Sequence, residues 1–156
     1  MCNAVEIIPN LWLGNIHSAT SADFMETHKI SCIINCTKNR EFGDLQGQVI
    51  KKIRIPIKDN GKDEEINKLY GVLDTSADLL YKLLPHHRIL IHCYAGRQRS
   101  VSIVLAFLMK YGKFNLQEAI DVLQSKKTDI GINFSKALVR YQLDLWNNTT
   151  ITSGGC

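Results

Sequence analysis

The chain has 156 residues, of which 45% are hydrophobic and 22% are charged, and its formal net charge is +4 at neutral pH. This length predicts one domain, and this composition is typical of a soluble globular protein, which excludes a disordered or fibrous chain. The positive charge is too small and too dispersed to indicate nucleic-acid binding, so we expect no nucleic-acid partner.

The apolar runs and the cysteines indicate whether the protein enters a membrane, and whether it contains disulfides or a metal. The longest apolar run, within 101–109, has about half the length that spans a bilayer, so we expect no stable membrane insertion. The five cysteines follow neither a disulfide framework nor a paired metal-ligand spacing. We therefore expect no metal or other cofactor. Because the N-terminus shows no signal-peptide pattern, we expect the protein in the cytoplasm, with the nucleus as an additional location.

Short β-branched or apolar runs alternate with longer amphipathic segments along the chain. Strands are predicted at about 5–8, 11–14, 32–36, 52–57 and 88–92, and helices at about 19–28, 63–83, 99–111, 115–126 and 133–147. This alternation predicts an α/β fold with a mainly parallel central sheet of about five strands flanked by helices. We expect a single domain over residues 1–146 and a flexible polar tail over 147–156.

Two of the predicted helices carry detailed local signals. The helix before the last strand has one apolar face, formed at spacings of three and four by Ile66, Leu69, Tyr70, Leu73, Ala77, Leu80 and Leu84. For the helix at 115–126, Asn115 is a good N-cap and Glu118 completes a capping box. Gly112 is expected to end the preceding helix.

The most informative segment is 92–100, His-Cys-Tyr-Ala-Gly-Arg-Gln-Arg-Ser, which joins the last predicted strand to an apolar helix. Cys93 stands where a helix N-terminus and a nearby arginine favour the thiolate, the nucleophilic form of cysteine. Gly96 removes side-chain bulk where backbone N–H groups would turn inward, and such groups suit a phosphate. Arg99 can hold two phosphate oxygens with its planar fork. This pattern predicts a phosphate-binding nucleophile site.

Other residues of this segment have predicted supporting roles. The hydroxyl of Ser100 can hydrogen-bond the cysteine sulfur and stabilise it as a leaving thiolate, and helix N-capping is a second role that it can fill at once. We expect the phosphate to be bound by backbone N–H groups and by the guanidinium of the loop formed by Tyr94, Ala95, Gly96, Arg97, Gln98 and Arg99.

This nonapeptide resembles the signature His-Cys-x-Ala-Gly-x-x-Arg-Ser of the cysteine-dependent protein phosphatases, specifically their small atypical dual-specificity branch. The segments 8–15, 30–37, 54–59 and 115–127 are also similar to that branch, so the resemblance covers roughly residues 5–146. It implies a metal-independent phosphatase that hydrolyses phosphotyrosine and phosphoserine or phosphothreonine in proteins. A phosphocysteine on Cys93 would be the intermediate, and a phosphorylated protein would be the partner.

The resemblance also implies a general acid that protonates the leaving oxygen. The matching position in this chain is Asp59. Because the segment 59–65 is a few residues longer than usual for the family, Asp63 is the alternative. Either carboxylate is equally a candidate for capping the following helix or a turn.

Three further residues match positions near the site. His92 resembles the family's loop histidine, which orients the loop by hydrogen bonds, and a direct effect on Cys93 is the alternative. Asn35 matches a family asparagine near the phosphate loop, and a role in a strand-end turn is equally open. Cys36, beside it, is either a buried small apolar side chain or the partner of Cys93 in a reversible disulfide.

Arg97 supports a second interpretation of the substrate. A cation at this position is similar to the phosphoinositide and phosphatidylglycerophosphate phosphatases of the same superfamily, and an exposed arginine paired with an acidic residue is the plain alternative. Tyr94 stands where those lipid enzymes tend to have a second cation, which argues against a lipid substrate. A non-catalytic phosphate-binding module is the alternative from another class, and the intact Cys93, Arg99 and Ser100 argue against that.

Overall fold

Five short strands form one sheet in the computed structural model, which describes residues 3–43, 49, 51–57, 62–96, 99–131 and 135–154. The strands are β1 (Val5–Ile8), β2 (Leu11–Gly14), β3 (Cys32–Asn35), β4 (Lys51–Arg54) and β5 (Ile89–His92). Their spatial order is β1-β2-β5-β3-β4. The β1–β2 pair is antiparallel and the other three pairs are parallel, so the predicted mainly parallel sheet is confirmed.

The central strand β5 is buried on both faces of the sheet. Every residue of β5 and of its two neighbours, β2 and β3, is buried, which explains their continuous apolar sequences. At the sheet edge, β4 instead exposes Lys51 and Lys52, and exposed lysines protect an edge strand from pairing with other chains. The segment 92–100 therefore leaves the sheet from its most protected strand.

Six helices cover the two faces of the sheet in the described part of the chain. They are α1 (Ile16–Ala19), α2 (Ala22–Thr27), α3 (Asp63–Leu83), α4 (Arg99–Gly112), α5 (Leu116–Lys126) and α6 (Ser135–Gly154). Ile89 and Ile91 point into the larger core, which they share with α3, α4, α5 and α6. Leu90, between them, points into a smaller core with Met25 of α2. This alternation along β5 is the period of two expected of a strand.

The helix predicted at about 19–28 is present as α2 but is shorter, over 22–27, and the separate helix α1 at 16–19 was not predicted. The side chain of Ser21 accepts a hydrogen bond of 3.1 Å from the Phe24 backbone N–H and caps the start of α2. Serine is one of the residues preferred at the N-cap position of a helix. β4 also ends at Arg54, earlier than predicted, and Pro56 has no N–H with which to continue a ladder.

The predicted helix end at residue 147 is also wrong, since α6 continues to Gly154 where a polar tail was expected. No proline or glycine lies between Ser135 and Ser153, so the sequence offers no strong helix breaker before Gly154. Gly112 is the last residue of α4, and the left-handed conformation lies one residue further, at Lys113 with φ of 61°. None of the described helices has the length and hydropathy needed to cross a bilayer.

The capping box predicted for α5 is confirmed. The side chain of Asn115 accepts a hydrogen bond of 2.8 Å from the backbone N–H of Glu118. In return, the Glu118 carboxylate accepts one of 2.9 Å from the backbone N–H of Asn115. The predicted apolar face of α3 also packs in the core, where Leu69, Leu73, Ala77 and Leu80 are fully buried.

Candidate active site

Cys93 directly follows the central strand β5, and only 2% of its surface is exposed. Its sulfur accepts hydrogen bonds of 3.2 Å from the Gly96 backbone N–H and of 3.2 Å from the Ser100 hydroxyl. Two donors on one sulfur favour its negatively charged form, because a hydrogen bond to the charged form of a group stabilises that form. The geometry therefore suits a nucleophilic thiolate.

The loop after Cys93 rests closely on the end of β2. Gly96 has φ of +72°, and a Cβ atom added there would lie 2.7 Å from the Gly14 carbonyl oxygen. The Tyr94 carbonyl accepts a hydrogen bond of 3.0 Å from the Ile16 backbone N–H, at the start of α1. Only glycine meets both conditions at position 96, a left-handed backbone and no room for a side chain. The tight turn thus brings the Gly96 N–H to the sulfur.

Arg99 is the first residue of α4 and Ser100 is the second. The positive end of the helix dipole and the first N–H groups of the helix therefore lie beside Cys93. The Arg99 guanidinium also donates a hydrogen bond of 3.4 Å to the Ile57 carbonyl. This contact joins the nucleophile loop to the segment that leads towards Asp59.

His92 is buried beneath the loop, with 1% of its surface exposed. Its Nδ1 lies 3.3 Å from the Cys93 carbonyl oxygen, and because a carbonyl only accepts, Nδ1 carries the proton. Burial lowers the pKa of His92 to about 4, and the nearby Arg54 and Arg99 act in the same direction. His92 is therefore a neutral side chain that holds the loop backbone at physiological pH.

Asn35 holds the loop that follows β3, which we call the β3 loop (residues 36–43). Its side-chain amide donates to the Arg40 carbonyl at 3.0 Å and accepts from the Thr37 backbone N–H at 2.9 Å. Arg54 of β4 donates to the carbonyls of the same two residues, at 2.8 Å each. Of its two predicted roles, the structure shows Asn35 in the strand-end turn.

Cys36 lies beside Cys93. The Cys36 backbone N–H donates a hydrogen bond of 2.8 Å to the His92 carbonyl, which extends the β3–β5 ladder and pairs Cys36 with Cys93. The two cysteines are not joined by a disulfide, and burial raises the pKa of Cys36 well above its usual value, with the Cys93 charge adding to the effect. The structure thus shows the buried side chain, and the reversible disulfide stays a prediction.

Three predicted site residues, Asp59, Arg97 and Gln98, lie outside the described residues. The alternative acid, Asp63, is the first residue of α3 and is exposed. Lys62 occupies the N-cap position there, so Asp63 is not the cap. A carboxylate in the first turn still interacts favourably with the helix dipole.

Sequence reasoning missed one residue at the edge of the loop, Arg40. Its guanidinium carbon lies 4.7 Å from the centre of the Tyr94 ring, in a cation–π contact. Tyr94 immediately follows the nucleophile and keeps 48% of its surface exposed. No local pattern signals a contact between residues 54 positions apart in the chain.

The described geometry combines a nucleophilic sulfur, the inward N–H of Gly96, a helix N-terminus and an arginine, which together suit attack on a tetrahedral oxyanion such as phosphate. The family model for the dual specificity phosphatase catalytic domain matches residues 11–144. The chain therefore belongs to the dual specificity phosphatases, within the cysteine-dependent protein tyrosine phosphatase superfamily, and the predicted resemblance is confirmed.

Individual proteins show the same similarity. The chain is 32% identical over 149 residues to dual specificity protein phosphatase 21 of Homo sapiens, covering 94% of this chain and 75% of that protein. It is 31% identical over 131 residues to dual specificity protein phosphatase 1 of Homo sapiens, covering 84% of this chain but only 34% of that longer protein. The crystal structure of human DUSP28 superposes with a TM-score of 0.80 at 18% identity, covering 92% of this chain and 95% of that chain.

Proposed function

We propose that the protein hydrolyses phosphotyrosine and phosphoserine or phosphothreonine in proteins, through a phosphocysteine intermediate on Cys93. The observation that carries the proposal is the pair of donors, Gly96 N–H and Ser100 hydroxyl, on a sulfur placed between β5 and α4. Membership of the dual specificity phosphatases supports the reaction class. The matched relatives support phosphoproteins as substrates.

In the first step, the Cys93 thiolate attacks phosphorus opposite the leaving oxygen. A sulfur–phosphorus bond forms, the phosphorus–oxygen bond breaks, and the general acid gives its proton to the departing oxygen. Arg99 and the loop N–H groups hold the remaining phosphate oxygens while negative charge moves across them.

In the second step, water attacks the phosphocysteine and the sulfur departs as a thiolate. The Ser100 hydroxyl, already 3.2 Å from the sulfur, stabilises that thiolate as it leaves. The carboxylate that gave its proton in the first step accepts one from the attacking water. Inorganic phosphate is released and the free thiolate is restored.

We assign the general acid to Asp59, with Asp63 as the alternative. The hydrogen bond between Arg99 and the Ile57 carbonyl supports Asp59, because it brings the chain two residues before Asp59 to the nucleophile loop. Asp59→Asn should lower kcat by about 10²–10⁴-fold on a phosphopeptide and remove the alkaline limb of the pH–rate profile, whereas Asp63→Asn should keep both. The opposite pattern would move the role to Asp63.

The deciding experiment measures inorganic phosphate released by wild type, Cys93→Ser and Cys32→Ser. Cys32 is a matched control, because it is a buried thiol of β3 whose pKa burial raises to about 11. The substrates are a phosphotyrosine peptide, a phosphothreonine peptide and a phosphoinositide dispersion. We expect both peptides to be hydrolysed by wild type and Cys32→Ser, and neither by Cys93→Ser.

Other outcomes point to the alternatives. Turnover of the lipid alone would show that the substrate is a phosphoinositide and not a phosphoprotein. Binding of the phosphopeptides without release of phosphate from any substrate would indicate a phosphate-binding module.

A further inference from the structure

We propose that Arg40 is a specificity residue that binds an anionic group next to the scissile phosphate, so that the enzyme prefers phosphopeptides with an acidic or phosphorylated neighbouring residue. This inference rests on the proposed function, because it names the substrate class of the same site. It goes beyond that function in assigning a second anion contact, outside the nucleophile loop.

Hydrogen bonds fix the Arg40 backbone. Its carbonyl accepts hydrogen bonds from the buried Asn35 amide at 3.0 Å and from the Arg54 guanidinium at 2.8 Å. Its N–H donates to the Thr37 hydroxyl at 3.2 Å. Although the β3 loop is on the surface, these bonds tie Arg40 to β3 and β4, so its side chain starts from a defined point.

The Arg40 side chain reaches the edge of the nucleophile loop. Its guanidinium lies over the ring of Tyr94, 4.7 Å from the ring centre, and Tyr94 is the residue after Cys93. The Tyr94 backbone is in turn held by the Ile16 N–H at 3.0 Å. Two backbones held by hydrogen bonds thus position the Arg40–Tyr94 pair beside the nucleophile loop.

The Arg40 guanidinium has five N–H donors, and their fork matches the oxygens of a carboxylate or phosphate. Arg40 is exposed, and no carboxylate within the described ranges forms an ion pair with it. The guanidinium therefore has room and donors for an anion of the substrate.

Among the described residues, cations outnumber carboxylates around the β3 loop. Arg54 lies beneath it and Arg99 is at the start of α4. Lys38 and the acidic Glu41 are both exposed on the loop. A net positive charge raises the local concentration of anions and disfavours positively charged neighbours of the phosphorylated residue. A peptide with an anionic flank therefore gains both a direct contact with Arg40 and a favourable field.

The test compares three phosphotyrosine peptides that differ only in the residues next to the phosphotyrosine: alanine, glutamate or phosphothreonine. Each is measured with wild type, Arg40→Gln and Lys38→Gln. Lys38→Gln is the matched control, because it removes the same charge from an exposed position of the same loop, and Lys38 makes no cation–π contact with Tyr94 within the described residues. The readout is the ratio of kcat/KM between an anionic and the neutral peptide, at low and at physiological ionic strength.

We expect wild type to prefer an anionic peptide by about twofold to fivefold at low ionic strength, as a solvent-exposed ion pair would give. Arg40→Gln should bring that ratio close to one, mainly through KM, while Lys38→Gln keeps most of it. A gain with glutamate and phosphothreonine alike would identify any anion as the ligand, and a gain with phosphothreonine alone would identify a second phosphate.

Two results would overturn the inference: no preference in wild type, or an equal loss in both variants, which would mean that only general loop charge matters. Binding separates this inference from the proposed function. The same peptides are titrated against Cys93→Ser with and without Arg40→Gln, and the ratio of Kd values tests Arg40 even if no turnover occurs. A Kd ratio that Arg40→Gln leaves unchanged would contradict the inference whatever the turnover.

Discussion

At the scale of single residues, the hydroxyl of Ser100 can donate a hydrogen bond to the Cys93 sulfur in both steps of the proposed reaction. The Ser100 hydroxyl lies 3.2 Å from the sulfur, and Ser100 is fully buried, so water cannot readily replace it. The hydroxyl matters most when the sulfur leaves phosphorus, because that is when negative charge builds up on the sulfur. Its removal should therefore slow the second step more than the first.

For Ser100→Ala, we expect kcat on an aryl phosphate to fall by roughly tenfold to a hundredfold, since a hydrogen bond to a charged group is worth about 1.5–3 kcal/mol. Phosphocysteine should accumulate and give a burst of the leaving phenol in stopped-flow measurements. Ser76→Ala, which alters a buried serine of α3, is the control and should show no burst. Equal slowing of both steps in Ser100→Ala would contradict the role.

His92 should make stability depend on pH. Its pKa is about 4 in the folded protein, below the value of about 6.5 in an unfolded chain. As the pH falls from about 6.5 to 4, the unfolded state binds a proton that the folded state does not, so the free energy of unfolding decreases. Above pH 6.5 the two states are alike at this site, and below pH 4 the loss levels off.

We expect this histidine to account for about 2 kcal/mol of lost stability between pH 7 and pH 5. Urea denaturation of His92→Gln should show a shallower loss over that range than wild type. His17→Gln, at an exposed position, should keep the wild-type slope. Parallel pH profiles for wild type and His92→Gln would show that His92 does not titrate as its burial implies.

At the scale of elements, the nucleophile loop depends on how closely it packs against β2. Because a Cβ at position 96 would meet the Gly14 carbonyl at 2.7 Å, a backbone atom that cannot rotate away, Gly96→Ala must displace the loop. The added methyl group also strains a backbone with φ of +72°. Displacement moves the Gly96 N–H away from the sulfur and the Arg99 fork away from phosphate.

We expect Gly96→Ala to lower kcat/KM by about a hundredfold or more, the usual consequence of a misplacement on the order of 1 Å. Gly71→Ala is the matched control, since a Cβ on that α3 residue would meet nothing within 4 Å. It should keep wild-type activity and raise stability by about 0.5–1 kcal/mol. Wild-type kinetics in Gly96→Ala would show that the loop tolerates the shift.

At the scale of the whole molecule, polar contacts join α6 to α3 and α4. The buried Tyr141 of α6 donates a hydrogen bond of 2.7 Å to the Asp74 carboxylate of α3, and Lys110 of α4 lies 2.8 Å from the same carboxylate oxygen. Burial, followed by the hydrogen bond to Asp74, raises the pKa of Tyr141 well above its usual value. One carboxylate thus joins three helices.

Tyr141→Phe should reduce the free energy of unfolding by about 1 kcal/mol, the usual net value of one hydrogen bond, with an unchanged urea m-value. Tyr81→Phe should leave stability unchanged, because Tyr81 is exposed and its hydroxyl makes no hydrogen bond within the described ranges. A loss equal to that of Tyr81→Phe would mean that the three-helix contact adds nothing.

Local patterns predicted most of the sheet and the nucleophile loop, because buried strands and tight glycine turns leave continuous signals in the sequence. Ile89, Leu90 and Ile91 form one such run, and the Asn115 capping box is another. The remainder depends on contacts between distant residues. The amide of Asn35, for instance, had two open roles until the position of Arg40 was known. The length of α6 was missed because polar residues near a helix end give no clear stop.

The central position of β5 has a consequence for the kinetics of local opening. A strand with a parallel neighbour on each side loses its hydrogen bonds only when the sheet itself comes apart, so the amide protons of Ile89–His92 should exchange with deuterium only through global unfolding. Within the described sheet, the edge strand β4 pairs with one neighbour only, so its amide protons should exchange sooner. Local opening at this edge of the sheet can therefore occur while the strand that leads to Cys93 keeps its hydrogen bonds.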